Sequence, residues 1–196
     1  IRHSEKVFIM KRLLLILILT LSFQSWAKAA DINDLEIEGI SIGDSLLNFV
    51  SLEYINNDIE YIYPDDGYWG VFIPEYKLEQ YDTVTVLGKK NDKNFIIESI
   101  TGDLFHDNVE ECLKKKNEIV KNIKKNFLPI SIFDQEPKKH SGDNKTTTHT
   151  TFLTYNNGKV LIACYDWSKE SGFPPTSKVS LSSTKFLYWL DNKAFD

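Results

Sequence analysis

The chain has 196 residues, of which 42% are hydrophobic, and carries 23 basic against 28 acidic side chains for a net charge of −5. That is enough apolar material for one domain-sized core, and the acidic balance speaks against nucleic acid or anionic lipid as the main partner, since both reward clustered positive charge. The only arginines are Arg2 and Arg12, so from residue 13 onward nothing supplies the planar fork that grips phosphate or carboxylate bidentately.

Residues 1–9 fit no signal and no element, and read as translated upstream sequence with Met10 as the start. Residues 10–29 read as a secretory signal peptide. Lys11 and Arg12 form its positive end, Leu13–Leu21 its apolar run, and Ala27 and Ala29 the small residues at −3 and −1, with cleavage expected between Ala29 and Ala30. The run falls short of the roughly 20 apolar residues of a spanning helix. Ala30 at the new terminus gives no cysteine for a lipid anchor, so no stable membrane anchor is expected after cleavage. The expected location is periplasmic or secreted, and the expected working unit is a single globular domain, 30–196. Cleavage would take five basic residues and one acidic residue (Glu5) with it, moving the net charge from −5 to −9.

Within that domain, residues 37–42 (IEGISI) predict a short strand ended by Gly43. Asp44 or Ser45 then caps a helix whose apolar face is Leu46, Leu47, Val50 and Tyr54. Tyr61, Tyr63, Tyr68, Trp69 and Phe72 form an aromatic stretch divided by the turn signal at residues 64–67, as in a hairpin. Residues 81–87 alternate as a half-buried strand and residues 95–101 return as its partner.

The clearest helix starts at Asp107 or Asn108, where Asp107 and Glu110 resemble a capping box. Its apolar stripe runs Val109, Cys112, Leu113, Ile119, Val120, Ile123 and Phe127, and its charges complement the helix dipole. Residues 134–145 read as a polar loop. Residues 147–155 and 159–167 form the best hairpin, turned by Asn156-Asn157-Gly158. A last strand, 178–182, leads into a helix capped by Ser183 or Thr184. This order predicts an α+β fold: an antiparallel sheet built from hairpins, packed against one long helix plus short N- and C-terminal helices, with the helices on one face.

Cys112 and Cys164 are the only cysteines. In an exported chain the pair predicts one disulfide, worth on the order of 3–4 kcal/mol by loop entropy; two separate buried thiols are the alternative. His106, His140 and His149 share no metal-ligand spacing, and no nucleophile elbow, phosphate loop or dinucleotide fingerprint is present. Asp103 with His106 is the one candidate proton-transfer pair. Tyr165, Asp166 and Trp167 form the densest polar-aromatic segment. They offer either a stacking surface with a polar anchor or, on the plainer reading, a core cap at a strand end.

The strings IEGISIGDSLL (37–47) and CYDWSKE (164–170), together with Cys112, resemble a family of small exported proteins of marine bacteria. That resemblance implies export and a shared fold but no activity. More weakly, residues 39–45 resemble the opening of outer-membrane assembly lipoproteins, without their lipid-attachment cysteine. The expected function is therefore a non-catalytic binding or interaction module with an envelope protein or small molecule as partner. No cofactor, metal or nucleic acid is expected. The alternative is a hydrolase built on Asp103 or Asp166 with His106.

Overall fold

Residues 31–61 and 63–195 are described by a computed structural model; the expected signal peptide and its Ala29–Ala30 junction lie outside them. The chain enters through a 3-10 turn, Ile32–Asp34, closed by a reciprocal cap between Asp31 and Asp34. Where one strand is expected over 37–42, two short ones occur: β1 (Glu36–Ile37) and β2 (Ile40–Ser41). Glu38 and Gly39 both take positive φ, 53° and 73°, and so turn the segment into a tight hairpin. The Glu38 carboxylate accepts the backbone N–H groups of Glu79, Gln80 and Tyr81 at 3.1, 2.6 and 2.8 Å. These three bonds offset the strain of a non-glycine residue in that region.

The expected first helix is also divided. Leu46–Asn48 forms a 3-10 turn, and α1 (Leu52–Asp58) starts afresh after Ser51, whose hydroxyl accepts from the Tyr54 N–H. The 64–67 turn is present and Glu60 bridges Gly70 across it, but Tyr61 and Tyr63 belong to no strand; β3 (Tyr68–Phe72) takes β4 (Thr83–Lys89) as its strand partner. β5 (Ile97–Phe105) follows, starting two residues later and ending four residues later than its alternating pattern indicates. The long helix α2 (Val109–Asn126) is capped by Asn108 through the Glu111 N–H, rather than by an Asp107–Glu110 box.

Between α2 and the expected loop lies a short edge strand, β6 (Ser131–Asp134), and the loop itself carries a second, β7 (Lys138–Lys139). The best-patterned hairpin forms as expected, with β8 (Thr147–Tyr155), Asn157 at φ 62°, and β9 (Gly158–Asp166). β10 (Thr176–Ser183) passes directly into α3 (Thr184–Asn192), where the Ser183 hydroxyl accepts from the Phe186 N–H.

The larger of two sheets is wholly antiparallel, in the order β3-β4-β5-β10-β9-β8-β6, with β7 also on β8. Two meanders thus meet along β5 and β10. Strand alternation sends Trp69, Val71, Val84, Val86, Ile100, Leu153, Val160, Ile162, Val179 and Leu181 to one face. There they join Ile32, Ile37, Ile40, Leu46 and Ile55 in the main core, roofed by Ile119, Val120, Ile123 and Phe127 of α2.

The helices do not share one face, contrary to expectation. α3 lies against the opposite face at one corner, where Phe186 and Trp189 pack on Tyr68 and Leu87. The reason is that Ser183 ends β10 at the rim of the sheet, and Tyr68 and Leu87 leave an apolar corner there that water would otherwise meet. The rest of the second face is built mainly of Thr and Ser, with Thr101 and Ser180 2.6 Å apart and Ser99 and Ser182 2.9 Å apart.

Candidate functional site

Cys112 and Cys164 are disulfide-bonded, with Cα atoms 5.7 Å apart and a sequence separation of 52. Both are fully buried. The bond fastens the first turn of α2 to β9. Beside it, Ser177 donates its hydroxyl to the Cys112 carbonyl at 3.0 Å, and His106 Nε2 lies 2.9 Å from the Ser177 Oγ. A serine–histidine contact resembles a nucleophile and its base. Ser177 is fully buried, however, and its proton is committed to a backbone carbonyl. Its work is to hold α2 down on β10.

The candidate hydrolytic groups are not assembled. Asp103 sits on the open face, where Lys178 lies 3.4 Å from Oδ1 and the Thr83 hydroxyl 3.4 Å from Oδ2. Ser177, which holds His106, precedes Lys178 on β10 and therefore faces the other side of the sheet. Asp166 ends β9 opposite Thr147, on the same face as Cys164, two strands across the sheet from His106. His149 pairs with Cys164 on β8. Among the described residues no three His, Cys, Asp or Glu side chains are grouped to hold a metal ion.

Tyr165 and Trp167 do come together on the open face, and Asp166 between them turns away. Their rings stack at 5.1 Å and 19°. The His140 ring meets both edge-on at 5.9 and 5.8 Å, and Phe173 covers Trp167 at 5.5 Å. The Lys178 ammonium stands 5.5 Å from the Tyr165 ring centre. Burial raises the Tyr165 pKa, with the Asp103 charge adding to it. Trp167 Nε1 donates to the Thr176 hydroxyl at 3.1 Å.

The neighbouring loop is held by Asp143. Its carboxylate accepts from the Thr146 hydroxyl (2.5 Å) and from the Thr146 and Lys145 N–H groups, while Thr146 in turn accepts from the Ser168 N–H. These bonds, the Thr146 hydroxyl first, pull the Asp143 pKa down to about 2. The rings pack on one another at the end of β9, each only partly buried, and Lys178 is paired with Asp103.

The other aromatic group is dispersed. Trp69 is in the main core and donates to the Lys89 carbonyl at 3.1 Å. Tyr63 and Tyr68 pack on Trp189, and Tyr61 is exposed beneath Lys90. None of these shares a ring contact with Tyr165 or Trp167.

What sequence reading misses is a cleft of about 550 Å³ between α2 and the sheet. Its floor is Leu104, Val179 and Leu181; one wall is Ile119, Ile123 and Phe127 of α2, and the other is Leu35, Ile37 and Tyr81. Asp34, Glu36, Gln80, Lys115 and Asn122 form a polar rim. Tyr81 lies flat against Gly102, where an added Cβ would come within 2.5 Å of the ring. Burial raises the Tyr81 pKa, aided by Glu38.

Glu38 is thus a positioning residue: its three hydrogen bonds fix the segment that carries Tyr81. Of the apolar stripe of α2 only Cys112 is fully buried, because the disulfide draws the N-terminal turn onto β9 while Ile119, Ile123 and Phe127 stay partly open. Comparison with known proteins finds no match to a family model, a curated protein or a solved structure.

Proposed function

We propose that this chain is an exported, non-catalytic binding protein that holds a small, mainly apolar ligand in the cleft under α2. The observation that carries the reading is the cleft itself: about 550 Å³, walled by Ile119, Ile123 and Phe127 against Leu104, Val179 and Leu181. Binding sites for small molecules are concave, mostly apolar and of a few hundred cubic ångströms, with a few polar groups that fix orientation. The rim groups Asp34, Glu36, Gln80 and Asn122 suit a ligand with an apolar body and one hydrogen-bonding end. Export rests on the sequence signals at residues 10–29, and a buried disulfide accords with an oxidising compartment.

The purified protein is tested by extracting it with organic solvent and by following its melting temperature against a panel of alkyl and aryl alcohols, amines and acids. A co-purifying apolar compound, or a rise in melting temperature for one class as mass action requires, is the expected result. No bound compound together with no shift across the panel contradicts the reading.

A further inference from the structure

The densest exposure of large apolar side chains among the described residues falls in one run of six, with Leu128, Ile130, Ile132 and Phe133 at 55, 56, 41 and 60%. The run leaves the end of α2 and becomes β6, a terminal strand paired only with β8. Exposed lysines border it on both sides: Lys121, Lys124 and Lys125 at the end of α2, Lys138 and Lys139 in β7. Of the two acids in residues 121–139, Asp134 is engaged. It accepts from the Thr151 hydroxyl at 2.6 Å and lies beside Lys116, whose pKa burial lowers and Asp134 partly restores. Five lysines against Asp134 and Glu136 make this stretch basic, in a chain whose net charge is negative.

Exposed apolar patches of this kind mark contacts with proteins or membranes, and composition favours the second. Protein interfaces are depleted in lysine and enriched in arginine, tyrosine and tryptophan. Leu and Ile bordered by lysine instead match a layer of anionic headgroups over acyl chains. Pro129 and Pro137 flank β6, and Lys138 and Lys139 lie on the same edge, which discourages an added strand from a second copy.

Along β6, Ile130 and Ile132 turn to the α2 side with Leu128, while Phe133 turns to the open face and stacks on Phe152. We propose that the α2 side of this edge docks reversibly on an anionic bilayer, with Leu128, Ile130 and Ile132 entering the interface and Lys121, Lys124 and Lys125 meeting headgroups. The surface lies across α2 from the cleft and stands whether or not the cleft holds a ligand.

Co-sedimentation of the purified protein with vesicles of phosphatidylcholine, with and without phosphatidylglycerol, tests it. Binding is expected only with phosphatidylglycerol and is expected to fall as salt is added. The double variant Lys124→Gln/Lys125→Gln is expected to weaken it by about fivefold per lysine. Ile130→Ser is expected to weaken it at every salt concentration. All these positions are exposed, so melting temperature should hold and loss of fold should not mimic loss of binding. Equal binding to neutral vesicles, or no vesicle binding at all, overturns the proposal. So does binding to soluble polyglutamate as tight as to vesicles, which would indicate an acidic protein partner instead.

Discussion

On β10, Val179 and Leu181 turn toward α2 and are 3% and 1% exposed, while Lys178 and Ser180, their neighbours in sequence, turn to the open face and are only partly covered. The same alternation runs across β5, where Ile100 is fully buried and Thr101 meets the Ser180 hydroxyl. Where β5 meets β10, one face is held by apolar burial and the other by hydroxyl pairs and one ion pair. The difference shows where function has room. The open face closes its polar groups on each other, whereas the covered face, though apolar, is left partly open between α2 and β5.

The largest effect expected from breaking this arrangement is loss of the disulfide. Cys112→Ser should cost about 4 kcal/mol by loop entropy, read by urea unfolding, and should loosen α2 because its only fully buried residue is then untethered. Next, Leu181→Ala should cost about 3 kcal/mol through the cavity it leaves. Ser180→Ala, one residue away on the opposite face, should cost about 1 kcal/mol or less. Near-equal losses for the two would refute the contrast between the faces. Trp167→Leu should lower the melting temperature through its lost ring contacts yet leave uptake of apolar ligands unchanged, because the proposed site is the cleft under α2; lost uptake would return the site to the Tyr165–Trp167 corner.

The smallest effect is at acid pH. The depressed pKa of Asp143 contributes stability that is present above its ordinary value near 3.8 and is lost as pH falls toward about 2. Trp167 fluorescence should therefore change over that window as the loop it packs against is released. Asp143→Asn should remove that transition, and its persistence in the variant would assign it to another carboxylate.

Much of this fold is legible in sequence because strand alternation and helix period are local. The 147–155 and 159–167 hairpin, α2, and the Ser183 cap of α3 follow from patterning and turn chemistry alone. The misses are tertiary in origin. Glu38 adopts a positive φ because three N–H groups from 41–43 residues away receive its carboxylate, and no local propensity signals that. β6 is only four residues long and exposed throughout, so no buried period marks it.

Asp103 and His106, three residues apart, look like a pair until the sheet sends their side chains to opposite faces. The Tyr165, Asp166 and Trp167 group divides by the same rule. The cleft escapes because an apolar stripe announces that a helix packs but not how closely. Likewise, the overall acidic charge hides the basic, apolar flank at residues 121–139, since a net charge averages over surfaces that face different ways.

The central claim is that the space under α2 receives a ligand. Titrating the protein with the apolar fluorophore N-phenylnaphthylamine, in parallel with the variant Ile123→Trp that fills the cleft from its helix wall, tests this most directly. The account predicts saturable, blue-shifted emission from the unaltered protein and at least a tenfold weaker response from the variant, with both equally folded by circular dichroism. Equal responses from the two proteins, or no saturable response from the unaltered one, would contradict it.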